Sequence, residues 1–182
     1  MEAAGHDWSD EGMPGLIAPN LTPDRETGIQ PVTAPVPPPD LSTPVARGRY
    51  LVTLGSCTDC HTTMDERGQP IPGMEFAGGN VYPSPQGVIA SANITQAPSG
   101  IPYYTDDLFL QVMRTGALPG RKLSDVMPWA YYRKLTDDDL KAVFAYVKTF
   151  RPVRHRVDNT TPPTLCPVCK QKHGLGDQNS AS

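Results

Sequence analysis

Cys57-Thr58-Asp59-Cys60-His61 sets two thiols one helical turn apart and puts an imidazole directly after the second. Thiols at that spacing can each bond a vinyl group on one edge of a porphyrin. The adjoining imidazole then lies under the iron. This is the c-type haem attachment signature. It predicts one haem c bound covalently through Cys57 and Cys60, with His61 as an axial ligand. Three other readings of the pair compete. One is a chance C-x-x-C with a neighbouring histidine, and another is half of a zinc site. The third is a redox dithiol, whose usual βαβ setting the flanking sequence lacks.

Upstream, Val45, Tyr50, Leu51 and Leu54 predict a helix over about 44–56, with Pro44 in its opening turn, that mounts the motif. Downstream, 62–104 carries many Gly and Pro and predicts loops, with a short hairpin around 81–89. A second helix follows Thr105 as N-cap, with Asp106 and Asp107 at its positive end. Leu108, Phe109, Val112 and Met113 keep helical spacing there, and Gly116 stops it. A third begins at Thr136-Asp137-Asp138-Asp139, a capping box with Asp in place of Glu. Leu140, Val143, Phe144 and Val147 form its stripe, and Pro152 ends it. The expected fold class is mainly α, three or more helices around one haem with long Gly/Pro-rich loops.

Three zones frame this core. Residues 1–43 form a Pro-rich leader ending in Pro35-Val36-Pro37-Pro38-Pro39-Asp40. Residues 44–152 hold the helical periodicity. Residues 153–182 form a polar C-terminal extension with a second C-x-x-C, and its last six residues predict disorder. With 38% hydrophobic residues and 21 prolines, the chain has a small core and needs a staple, which a haem supplies. A net charge of −3 argues against nucleic acid as a partner. No apolar run reaches membrane-spanning length. Met1-Glu2-Ala3-Ala4-Gly5-His6-Asp7 lacks the basic and apolar regions of a signal peptide. Covalent haem attachment normally follows export, so a periplasmic or otherwise exported location is expected despite that gap.

The iron needs a sixth ligand or stays open, and Met/His ligation is the electron-transfer arrangement. Of six methionines, Met1 and Met13 lie in the leader and Met64 is too close to His61 to cross the ring. Met74 sits in a Gly/Pro loop and stays conceivable. Met113 falls on the apolar stripe of the second helix. Met127, in Val126-Met127-Pro128-Trp129, lies in a loop between helices and is the favoured ligand, with Pro128 stiffening its approach. The bland alternative is a loop methionine plugging the core. Trp129 is placed at the haem edge or on a propionate, against ordinary aromatic packing. His61 should give its other ring N–H to an acceptor, and backbone carbonyls near Pro70 or Pro72 are the expected ones.

Residues 44–152 resemble the class I cytochrome c domains of bacterial multihaem cytochrome subunits from membrane-bound alcohol and gluconate dehydrogenases. The matching pieces are Gly48-Arg49-Tyr50-Leu51, Cys57 to His61, Phe76-Ala77-Gly78-Gly79, Asn93-Ile94-Thr95, Met113-Arg114-Thr115-Gly116, Met127-Pro128-Trp129 and the stretch from Leu135 to Tyr146. The resemblance implies a class I cytochrome c fold and His61 and Met127 as the iron ligands. It also implies Asn93 in the cofactor site, and Gly48 and Tyr50 near Tyr146. Asn20-Leu21-Thr22-Pro23-Asp24-Arg25-Glu26-Thr27-Gly28-Ile29 resembles another stretch of the same family, so 1–43 reads as the remnant of a preceding haem domain.

Cys166-Pro167-Val168-Cys169 is followed not by His but by Lys170, with His173 four residues after Cys169. A local disulfide or two free thiols is preferred. A metal site would need a further ligand such as His155. A second haem would need Lys170 on its iron. The expected function is a one-electron carrier with no catalytic residues of its own. Its partners are redox proteins, including a membrane-bound dehydrogenase or oxidase complex. The alternatives are a five-coordinate haem acting as gas sensor or peroxidase-like enzyme, and a haem-free zinc or scaffold module.

Overall fold

The computed structural model describes residues 6–7, 17–18, 26, 37–85 and 87–180. The chain divides into Met1–Pro38 and Pro39–Ser182. In the first unit, β1 (His6–Asp7) pairs antiparallel with β2 (Ile17–Ala18). The family-like decapeptide over 20–29 lies outside the described residues except for Glu26.

The second unit starts with α1 (Pro44–Leu54). Thr43 Oγ1 accepts the Ala46 N–H at 3.1 Å and Pro44 fills the first turn. The helix ends two residues short of expectation. Gly55 caps it, and Ser56 turns left-handed at φ 49°, which re-aims the chain. The haem motif is then its own helical turn, α2 (Cys57–His61). β3 (Val81–Ser84) and β4 (Gly87–Ala90) form the expected hairpin, with Val81 opposite Ala90.

α3 (Asp106–Thr115) starts and stops where the sequence indicates. Thr105 Oγ1 accepts from Leu108 N–H at 3.1 Å, and Gly116 takes φ 65° as C-cap. A two-residue hairpin follows, β5 (Ala117–Leu118) with β6 (Arg121–Lys122), and then a single turn, α4 (Trp129–Tyr132). α5 (Asp137–Val147) is capped by Thr136, whose Oγ1 accepts the Asp139 N–H at 3.1 Å. It ends before Pro152, on turns through Lys148 and Thr149.

α1 and α5 cross in close contact. Gly48 makes this possible: a Cβ there would lie 2.6 Å from the Ala142 carbonyl carbon and 2.8 Å from Tyr146 Cβ. Tyr50, by contrast, is exposed. Below the crossing, Val52, Phe76, Val143 and Val147 form a buried cluster, with Ile94, Phe109 and Phe150 against it. Fully burying each such side chain contributes about 1.5–3 kcal/mol. Phe109 stacks on Phe144 at 4.7 Å, which joins α3 to α5.

The C-terminal extension departs from expectation. Residues 153–180 pack into the second unit through β7 (Pro163–Leu165), β8 (Lys172–Gly174) and a 3₁₀ turn, Gly176–Gln178. Polar side chains add to the β7–β8 ladder here. Asn159 bonds both the N–H and the carbonyl of Ala90, at 2.8 and 2.9 Å. Gln171 accepts the Val81 N–H at 3.0 Å. Asn179 accepts from Arg156 N–H at 2.7 Å and donates to its carbonyl at 3.0 Å. Asn179, one of the six residues expected to be disordered, is thus a backbone clamp. Among the described residues, five α-helices and four small two-stranded sheets leave the second unit helical in its core, with more β pairing than the single expected hairpin.

Candidate haem site

α2 presents Cys57, Cys60 and His61 from a mount anchored on both sides. Cys57 packs against the α1–α5 cluster. On the other side the His61 carbonyl accepts the Gly78 N–H at 2.7 Å. Asn80 Nδ2 donates to the Cys60 and Thr62 carbonyls at 2.9 and 2.6 Å, which closes the end of the turn. Gly78 is required there: at φ 68° a Cβ would meet the Ala92 carbonyl carbon at 2.5 Å.

His61 Nδ1 lies 2.8 Å from the Ala92 carbonyl, so Nδ1 is the protonated nitrogen and Nε2 keeps its lone pair. The acceptor is not near Pro70 or Pro72. The segment after β4 supplies it, held by Gly79 N–H on the Ser91 carbonyl at 2.8 Å. Burial holds the imidazole below its ordinary value near 6.5, against the opposing effect of the Ala92 bond, so the ring is neutral at pH 7. Burial likewise pushes the Cys57 thiol up to about 11.

α4 closes on the same mount. Tyr132 Oη donates to the Gly55 carbonyl at 2.7 Å, at the α1–α2 junction. A Cβ on Gly55 would stand 3.5 Å from Cys57 Sγ and 3.6 Å from the Tyr132 ring, so sulfur and ring share one small space. Tyr132 is five residues after Met127, and the Met127 carbonyl accepts the Trp129 N–H at 2.7 Å. Trp129 lies against Gly116, where a Cβ would meet Cδ2 at 2.6 Å. Its Nε1 is buried with no hydrogen-bond partner among the described residues. A buried N–H aimed at nothing costs about 1–3 kcal/mol. A carboxylate-bearing cofactor answers that deficit, and a neutral imidazole beside two sulfurs answers its iron and its vinyl edge. The residues present fit haem c.

Asn93 is committed elsewhere. Its amide donates to the Val153 and His155 carbonyls at 2.8 and 3.0 Å, while its oxygen accepts from Thr95. It joins the C-terminal segment to the core, and every polar atom of the side chain has a protein partner. A cavity of about 710 Å³ opens nearby, lined by Ala92, Ile101, Leu118, Arg121 and Arg154. Cys57, Cys60, His61 and Met127 do not line it.

No family model matches the chain. A fructose dehydrogenase cytochrome subunit of Gluconobacter japonicus is 36% identical over 138 residues, covering 74% of this chain and 26% of that protein. The cytochrome c subunit of alcohol dehydrogenase (quinone) from Gluconobacter oxydans is 38% identical over 104 residues, covering 56% and 20%. This chain is a homologue of bacterial cytochrome c subunits. The cytochrome c subunit of gluconate 2-dehydrogenase from Pantoea cypripedii agrees, at 40% identity over 104 residues, covering 56% and 22%. The chain thus spans about a quarter or less of the length of these cytochrome subunits. No helix among the described residues is long and apolar enough to cross a membrane.

Proposed function

We propose that the chain is a one-electron carrier holding a single haem c through Cys57 and Cys60, with His61 and Met127 as axial ligands. The observation that carries this reading is the 2.8 Å bond from His61 Nδ1 to the Ala92 carbonyl, which leaves Nε2 free on a rigid turn. Haem c supplies an iron that changes oxidation state by one electron without making or breaking a bond. The chain's own residues keep the site constant while it does so. Ala92 fixes the imidazole plane and raises its basicity. Tyr132 ties the Met127 segment to the α1–α2 junction. Trp129 offers its indole N–H to a propionate.

Electrons would pass to and from redox proteins in an exported compartment, with a dehydrogenase complex as one such partner. The test is an absorption spectrum of protein made in a host competent for cytochrome c maturation, with intact mass after denaturation. One haem per chain is expected, and carbon monoxide should leave the reduced spectrum unchanged. Met127→Ala should open the iron to carbon monoxide. Two haems per chain, or fast carbon monoxide binding by the unaltered protein, would refute the reading in its respective part.

A further inference from the structure

His155, Cys166, Cys169 and His173 converge away from the haem mount. Their four donor atoms lie within 4.8 Å of one another and all four residues are buried. Cys166 and Cys169 are free thiols. Each imidazole has Nδ1 held by a backbone carbonyl, His155 on Ala77 at 2.9 Å and His173 on Gly174 at 3.2 Å. That makes Nδ1 the protonated nitrogen and points each Nε2 lone pair inward. His155 Nε2 then sits 3.5 Å from Cys166 Sγ, and His173 Nε2 sits 3.5 Å from Cys169 Sγ.

Those separations discriminate between ligands. Zinc binds thiolate at about 2.3 Å and imidazole at about 2.0–2.1 Å, so sulfur and nitrogen on one tetrahedral zinc stand about 3.5 Å apart. A disulfide requires sulfurs about 2.05 Å apart and would leave two buried imidazole nitrogens with nothing to bind. The backbone is also built around the cluster. Lys170 at φ 61° reverses the chain after Cys169, and its N–H bonds the Cys166 carbonyl at 2.9 Å. Gly79 at φ 95° clears the approach, because a Cβ there would meet His155 Cε1 at 2.5 Å. Asn179 Nδ2 stands 3.7 Å from Cys166 Sγ, a donor toward a sulfur that carries charge once ligated.

We propose that His155, Cys166, Cys169 and His173 form a closed four-coordinate structural zinc site. The ion clamps the C-terminal segment onto the Ala77-Gly78-Gly79 loop. Zn²⁺ binds as the two thiols release their protons to solvent, and the two imidazoles stay neutral. The complex therefore carries no net charge, which suits a buried position. With no open coordination position, the ion does no chemistry on a substrate. It braces the loop whose Gly78 N–H bonds the His61 carbonyl.

The full haem-loaded chain, expressed with zinc in the medium, should contain one zinc per chain by elemental analysis. Zinc-edge X-ray absorption should show two sulfurs at about 2.3 Å and two nitrogens at about 2.0 Å, a signal that iron does not obscure. A Cys166→Ser/Cys169→Ser double variant should lose zinc at least about ten-fold and be cut faster by trypsin at Lys170 and Arg156. Zinc below about 0.1 per chain in the unaltered protein would overturn the proposal, as would a zinc shell without sulfur. So would a mass about two units low from a Cys166–Cys169 disulfide. If the double variant does not fold, the unaltered protein alone decides. Haem content is measured separately, so zinc can be absent while the haem reading stands.

Discussion

Gly48→Ala tests the helix crossing that positions the mount. Inside a helix, alanine is favoured over glycine by about 1 kcal/mol, so propensity alone predicts a more stable protein. The structure predicts the opposite. The added methyl would meet the Ala142 carbonyl carbon at 2.6 Å and Tyr146 Cβ at 2.8 Å, and neither is the end of a flexible side chain. Carbon contacts relax near 3.5–4.0 Å, so α1 and α5 must part by about 1 Å, forfeiting a quarter to a half of the dispersion energy across the seam. Over-packing of this kind costs about 1–3 kcal/mol, and backbone contact puts Gly48 at the upper end. Net of propensity, Gly48→Ala should destabilise by about 2 kcal/mol and lower Tm by about 4–8 °C. Guanidinium unfolding of the haem-loaded protein, followed by far-ultraviolet circular dichroism, measures this. A midpoint equal to or above that of the unaltered protein would refute the crossing geometry.

Tyr132→Phe removes the donor to the Gly55 carbonyl and should cost about 1 kcal/mol by the same unfolding assay. Trp129→Phe deletes the unpartnered indole N–H. If that N–H serves a propionate, the ferric form gains relative stability, and the midpoint potential should fall by on the order of 30 mV; an unchanged potential refutes the role. Asp139 accepts from Thr136 Oγ1 and pairs with Arg47 at 2.6 Å, contacts that hold its carboxyl below its ordinary value near 3.8. A depressed folded pKa means this stabilisation is present above the unfolded value and is lost as pH falls through the folded one. Asp139 is 14% exposed but Arg47 is 44% exposed, so screening limits the pair to about 0.5–1 kcal/mol. Asp139→Asn should therefore lower stability at pH 7 by that amount and flatten the decline as pH falls below the ordinary value near 3.8, read by urea midpoints across pH.

What the sequence showed plainly was local. Thr105 and Leu108 are three residues apart, as are Thr136 and Asp139, so both caps are written in adjacent letters, and helix starts follow. The haem motif is local too: five residues carry both thiols and the imidazole. The carbonyl that holds His61 is not. It comes from Ala92, 31 residues on, and a backbone oxygen leaves no trace in residue identity. Prolines near the motif therefore drew the expectation to the wrong loop. The C-terminal segment misled for a related reason. Asn159, Gln171 and Asn179 have the composition of a solvated tail, yet each bonds a backbone group that no strand reaches. His155 stands eleven residues before Cys166, across the start of a hairpin, and only the fold brings their atoms to 3.5 Å. One signal was available. A C-x-x-C without an adjoining histidine cannot attach haem in the usual way, and two further histidines lay within reach to complete four donors. Weighing the pair only as two sulfurs favours a disulfide. Counting the two neutral imidazoles that a disulfide would leave without a partner favours a metal, because one ion satisfies both ring nitrogens and both sulfurs.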